Sequence, residues 1–191
     1  MLKQPLLTPH FPTLAQLLPR AGFVIAIRDP RDIVASLHEV AERESEQLGN
    51  SSMSKRPDVF ARYALRHYEP PLKAFGPGDS ERVQWIRYEE MVNDPEAVAR
   101  QLGAVTGIDL SGYHSAEPWR VWGDGTVDIE ERRKSPYFSP LWGKAVTAKR
   151  VGTWRERLSP EDADTITRAV MPMMRAFGYA AAETPGAPTT T

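Results

Sequence analysis

The feature that most constrains the fold is residues 23–36, FVIAIRDPRDIVAS, where an apolar run changes into a helical pattern. The first five residues are apolar and rich in β-branched side chains, which predicts a short buried strand. Asp29 then suits a helix N-cap, Pro30 the first helical position, and Asp32 the first turn. Apolar residues recur at helical spacing from Ile33 to Ala41, and we expect the helix to run to about Leu48. We therefore expect a strand that leads directly into a helix.

Arg28 stands at the point where this strand ends. Ligands of open α/β sheets bind at the carboxyl ends of the strands, and the amides that open a helix favour an anion. The junction therefore predicts an anion site with Arg28 as its cation. The alternative is an ordinary strand–helix junction in which Arg28 is a solvated surface charge.

Two further regions show regular patterns. Residues 83–88 predict a second strand, and a helix that starts at residues 93–95 follows and ends at Gly107. Ser159 caps a last helix, in which Pro172 predicts a kink. These elements, together with the first strand and helix, indicate an α/β fold.

Three other parts of the sequence carry weaker signals, and the longest of them leaves its interpretation open. Asp58 predicts the cap of a helix that runs to about Phe75. Residues 109–147 hold many aromatic side chains without a lasting period, and they fit a functional loop, a lid or an acceptor-site wall as well as an excursion packed by its own aromatics. The adjacent Glu89 and Glu90 indicate surface charge.

Four separated motifs over residues 2–179 resemble the PAPS-dependent sulfotransferases, which transfer a sulfuryl group from 3′-phosphoadenosine 5′-phosphosulfate. Their 3′-phosphate segment is a strand, then R-[DN]-P-x-D, then a Ser eight residues after the Arg. Arg28 and Ser36 keep that spacing. The resemblance implies that both side chains bind the 3′-phosphate.

The other three motifs imply further site residues. The match over LKQP places Lys3 near the transferred sulfuryl group, and the match over YEEM places Tyr88 against the adenine. In the family, basic residues just before a Gly-x-Trp lie near the 3′-phosphate, which implies Lys149 and Arg150 here. An Arg-Lys-Gly triplet that one branch of the family carries in this region is absent from the sequence.

The resemblance implies a three-layer α/β/α domain over residues 1–179, with a short parallel sheet of the P-loop NTPase-like sulfotransferase type. Residues 180–191, AAAETPGAPTTT, are expected to form a disordered tail. The family has a strand, a phosphosulfate loop and a helix ahead of the Lys3 motif. We expect this domain to lack that first βα unit, as an N-terminally truncated or degenerate form.

The implied function is sulfuryl transfer from PAPS to a hydroxyl or amine of a small-molecule, glycan or peptide acceptor. The alternative is a non-catalytic nucleotide-binding or protein-partner module derived from a sulfotransferase. A homodimer or a complementing N-terminal piece is a possible partner, because a missing first strand exposes a sheet edge.

Composition and charge bear on three further questions: nucleic-acid binding, disulfide or metal sites, and location. The net charge of −1 gives no basic field for long nucleic acids, and the absence of Cys excludes disulfides and thiolate metal sites. The four His residues have no metal-ligand spacing, so we expect no metal. No apolar run could span a bilayer and no secretory signal is evident, so we expect a cytoplasmic protein.

Overall fold

The computed structural model describes residues 4–51, 56–78, 80–110, 112–113, 134–139, 141 and 144–179. The predicted catalytic Lys3 and the predicted tail at 180–191 lie outside these ranges, as does much of the aromatic segment at 109–147. Those three expectations stay predictions.

The described residues form helices and two strands. In chain order the elements are a 3-10 helix, Pro5–His10; α1, Phe11–Leu17; β1, Phe23–Ile27; α2, Pro30–Leu48; α3, Pro57–Ala74; β2, Val83–Arg87; α4, Tyr88–Asn93; α5, Pro95–Thr106; a second 3-10 helix, Ala148–Arg150; α6, Trp154–Arg157; α7, Pro160–Ala169; and α8, Met171–Ala176.

The two strands pair in parallel, with Phe23 opposite Val83 and Ile27 opposite Arg87. This register brings the carboxyl ends of both strands to the same edge of the sheet. The parallel pairing, with helices between and after the strands, confirms the predicted α/β fold with a short parallel sheet.

The core lies on one face of β1, the face that carries Phe23, Ile25 and Ile27. Ile27 packs into a cluster supplied mainly by α2, α3, α7 and α8, whereas Phe23 and Ile25 pack with Ala15 of α1. The side chains of the opposite face are exposed, with Val24 at 41%. Burial along β1 therefore alternates from residue to residue.

The predicted cap of α2 follows from local chemistry. The Asp29 carboxylate accepts a hydrogen bond from the Arg31 amide at 2.9 Å, and Pro30 takes the first helical position. Gly49 ends the helix with a φ of 77°, which a residue with a Cβ rarely adopts. The strand and helix predicted for residues 23–48 are confirmed.

The later helices confirm the predicted helix start at residues 93–95, the predicted Ser159 cap and an interruption near Pro172. Asp94 caps α5 by accepting from the Ala97 amide at 3.0 Å, and Ser159 caps α7 by accepting from the Asp162 amide at 3.1 Å. The last helical segment is divided at Val170 into α7 and α8, two residues before Pro172.

The predicted cap of α3 was wrong. The helix begins at Pro57, so its N-cap is Arg56 and makes no side-chain cap bond. Asp58 falls inside the first turn and pairs with Arg56 at 2.8 Å and Arg62 at 2.6 Å. The hydrogen bond from Arg56 lowers the pKa of the Asp58 carboxyl. Proline at the first position fixed the helix start two residues earlier than the acidic side chain indicated.

Candidate functional site

Arg28 lies where the sequence predicts it, at the carboxyl end of β1. Its Nη2 donates to the main-chain carbonyl of Arg150 and lies 3.5 Å from the Asp32 carboxylate. The guanidinium carbon is 4.7 Å from the centre of the Tyr88 ring. Three of the predicted site residues, Arg28, Tyr88 and Arg150, are therefore brought together.

The parallel register explains why Arg28 and Tyr88 meet. Ile27 is paired with Arg87, so the next residue of each strand leaves the sheet at the same edge. Tyr88 is also the first residue of α4, which follows β2 without a loop. A guanidinium over an aromatic ring is an attractive arrangement that holds both groups in place.

Asp32 is the residue whose role sequence reasoning missed, because its pattern indicated only a charge in a helical first turn. Its side chain is fully buried. It accepts hydrogen bonds from the Gly152 amide at 2.7 Å, the Trp154 amide at 2.9 Å and the Thr153 hydroxyl at 3.1 Å. The carboxylate thus fixes the turn that opens α6 against the start of α2.

The main-chain conformation favours glycine at Gly152. Its φ is 74°, in the left-handed region, which a residue with a Cβ rarely adopts. The Gly-x-Trp spacing therefore reflects main-chain geometry that presents two amides to Asp32. This is the signal in the sequence that could have predicted the contact.

Ser36 is half-buried on α2, four residues after Asp32 and three before Glu39. Residues at these spacings share one helix face. Asp32 contacts Arg28, and Glu39 pairs with Arg150 at 2.6 Å. The face of α2 that carries Ser36 therefore also carries the two carboxylates that contact predicted phosphate-binding arginines.

The predicted Lys149 lies next to Arg150 in the second 3-10 helix, and its side chain is exposed. Arg157, which the sequence analysis did not select, joins this group, because its Nη1 pairs with Glu39. Arg28, Arg150 and Arg157 therefore contact two carboxylates on α2, Asp32 and Glu39.

Glu89 is not the surface charge that the sequence indicated. One of its carboxylate oxygens accepts from the Asp29 amide at 2.9 Å, and the other accepts from the Tyr179 hydroxyl at 2.9 Å. Because α4 begins directly after β2, Glu89 is carried to the start of α2. Burial raises the pKa of Tyr179, and the neighbouring Glu89 carboxylate raises it further. Glu90 is exposed, as expected.

The Nε of Arg28 is buried and has no hydrogen-bond partner among the described residues. A buried donor without a partner is uncommon in folded proteins, and a charged donor suits an anionic ligand. Arg28, Tyr88 and Arg150 are in contact, and Ser36 lies on the neighbouring face of α2. This arrangement fits a phosphate next to an aromatic group such as a nucleobase.

No three His, Asp or Glu side chains of the described ranges are grouped as metal ligands would be. None of the helices in those ranges combines the length and apolar character needed to cross a bilayer.

A family model described as the sulfotransferase family matches residues 1–112, more than half of the chain. The chain belongs to the sulfotransferase family. No curated protein and no solved structure gives a significant match. The matched range of this sulfotransferase-family protein contains Arg28, Ser36 and Tyr88, whereas Arg150 lies beyond it.

Replacement of Asp32 by Asn tests the link between α2 and α6. The amide keeps the shape of the side chain but removes the charge and turns an NH₂ group toward donors, so we expect the free energy of unfolding to fall by about 3 kcal/mol. Urea unfolding followed by circular dichroism measures this. The matched control is Asp164→Asn on α7, where the carboxylate is 62% exposed and pairs with Arg168. Equal losses in the two variants would contradict the structural role.

Replacement of Tyr179 by Phe tests the bond to Glu89. Because its folded pKa is raised above the usual 10.0, the neutral phenol contributes stability that is complete below about pH 10 and is lost as the pH rises further. Wild type should therefore be about 1 kcal/mol more stable than the variant at pH 8. This difference should shrink above pH 10.

The control for Tyr179→Phe is Tyr137→Phe, because the Tyr137 side chain is 61% exposed. Urea unfolding at several pH values should show the wild-type profile for that variant. A constant difference in unfolding free energy between wild type and Tyr179→Phe from pH 8 to pH 11 would contradict the raised pKa of Tyr179 in the folded protein.

Proposed function

We propose that this sulfotransferase-family protein binds the 3′-phosphate and adenine of PAPS and serves sulfuryl transfer to a hydroxyl or amine. The acceptor would be a small molecule, a glycan or a peptide. One observation carries the proposal: Arg28 lies over Tyr88 at the carboxyl edge of the sheet with a buried Nε that has no partner among the described residues. That edge is where α/β folds bind ligands.

The chain's own residues supply complementary interactions for such a ligand. Arg28 and Arg150 offer charge-assisted hydrogen bonds to a phosphate, and Ser36 offers a hydroxyl donor from the same face of α2. Lys149 is exposed beside Arg150 and adds positive charge. Tyr88 offers a ring face and a hydroxyl to the base.

When bound, PAPS supplies the sulfuryl group as an activated phosphosulfate. The transfer demands donors around the charged oxygens of that group and a base for the acceptor proton. Lys3 is the residue that we assign to the sulfuryl side, from the family resemblance alone. The described residues support only the part of the proposal that concerns the 3′-phosphate and adenine, because Lys3 lies outside the described ranges.

Binding of 3′-phosphoadenosine 5′-phosphate (PAP) by calorimetry tests this function, with adenosine 5′-phosphate (AMP) as the ligand that lacks the 3′-phosphate. We expect wild type to bind PAP more tightly than AMP. Ser36→Ala should weaken PAP binding about tenfold, because it removes a hydrogen bond to a charged group. AMP binding should change little.

The matched control is Ser45→Ala, which removes a hydroxyl from the same helix. That hydroxyl donates to the Ala41 carbonyl at 2.9 Å and lies outside the proposed site. Thermal unfolding of each variant reports whether it folds. Wild type that fails to distinguish PAP from AMP would overturn the proposal.

A second candidate is a non-catalytic module that docks a protein partner. The observation in its favour is the exposed apolar face of β1, where Val24 is 41% exposed within a parallel sheet. Parallel strands are normally covered on both faces. A defined dimer in light scattering, together with no preference for PAP, would favour this candidate over the enzyme.

A further inference from the structure

Glu39 is a carboxylate that bridges two arginines on the phosphate side of the site. It lies on α2, 15% exposed, with Oε2 at 2.6 Å from Nη1 of Arg150. Its Oε1 pairs with Nη1 of Arg157. One anion thus holds two guanidiniums that come from the second 3-10 helix and α6.

Glu39 differs from the other carboxylate on this face of α2. Asp32 is fully buried and accepts from the main chain and hydroxyl of residues 152–154, so it is part of the fold. The bonds to Glu39 within the described ranges come from Arg150 and Arg157 alone. Its interactions are with cations that a ligand could also use.

Arg150 also contacts Arg28, the other arginine of the proposed phosphate site. Its main-chain carbonyl accepts from the Arg28 guanidinium, so the two proposed phosphate-binding residues adjoin. Ser36 lies one turn before Glu39 on the same helix face. An anion that reached Arg28, Ser36 and Arg150 together would therefore come close to the Glu39 carboxylate.

We propose that Glu39 sets the affinity of the site for a 3′-phosphate by competing with it for the Arg150 guanidinium. This inference rests on the proposed function. A phosphate carries nearly two negative charges near pH 7, and like charges at short range in a partly buried site repel strongly. Binding of the nucleotide must share or displace the Glu39–Arg150 pair.

The test is the affinity of Glu39→Gln for PAP and for AMP, measured by calorimetry. The substitution keeps the size of the side chain and removes its charge, so PAP binding should tighten about tenfold. AMP lacks the 3′-phosphate, so its binding should stay unchanged. A merely structural role for Glu39 would not produce a gain that depends on the 3′-phosphate.

The matched control is Glu42→Gln, which removes the same charge from an exposed position on the next turn of α2. It should leave both affinities at the wild-type value, because it lies outside the Arg150 pair. Glu39→Ala is measured beside these variants and should shift PAP binding in the same direction as Glu39→Gln. Thermal unfolding without ligand verifies that each variant folds.

The outcomes separate the inference from the function on which it rests. Weaker or unchanged PAP binding in Glu39→Gln, with wild type still preferring PAP to AMP, overturns the competition and leaves the function standing. Wild type without that preference overturns the proposed function and the competition with it. An equal gain in Glu42→Gln would show a general charge effect and would also overturn the role of Glu39.

Discussion

The buried carboxylate of Asp32 joins parts of the chain that lie far apart in the sequence. It receives the Gly152 amide 120 residues away, and the neighbouring Trp154 amide and Thr153 hydroxyl complete its bonds. An unpaired carboxylate here would be costly, so the start of α2 and the turn before α6 depend on each other. The position of Arg150 next to Arg28 follows from this contact, since Arg150 directly precedes that turn. The candidate site is therefore a product of the same interaction that holds the fold together.

The sequence predicted the elements whose signals are local. The strand before Arg28, the Asp29 and Ser159 caps, and the helix start at residues 93–95 depend on neighbouring residues and were confirmed. The Asp58 cap was wrong because Pro57 competed locally for the helix start. Arg28 and Tyr88 lie at the same edge of the sheet because β1 and β2 pair in parallel. The long-range contacts of three carboxylates could not be predicted in the same way. The amides and hydroxyls that bond to Asp32 and Glu89, and the arginines that pair with Glu39, lie far away in the chain. A carboxylate in a helical first turn has the same local pattern whether it faces water or buried amides.

The apolar run of β1 predicts more burial than the described residues provide. Five consecutive apolar residues are typical of a strand covered on both faces, yet Val24 is 41% exposed while Ile25 and Ile27 are buried. A pair of strands is also marginal as an independent sheet. The strand gains its stability from one face only, through the helices that pack against Phe23, Ile25 and Ile27. In the described part of the structure, apolar surface of β1 such as the Val24 side chain therefore remains in contact with solvent.

The helix α2 uses its acidic residues for two different purposes, and the difference follows from burial and partners. Asp32 meets main-chain donors that no ligand can replace, so its charge serves the fold. Glu39 meets two guanidiniums at the edge of the site, where solvent still reaches the Arg157 side chain at 39% exposure. Coulomb attraction between such groups is weaker than in the interior and can be exchanged for a more highly charged partner. Under the competition that we propose for Glu39, this face of α2 would hold the arginines in place before a nucleotide binds and release Arg150 to it afterwards.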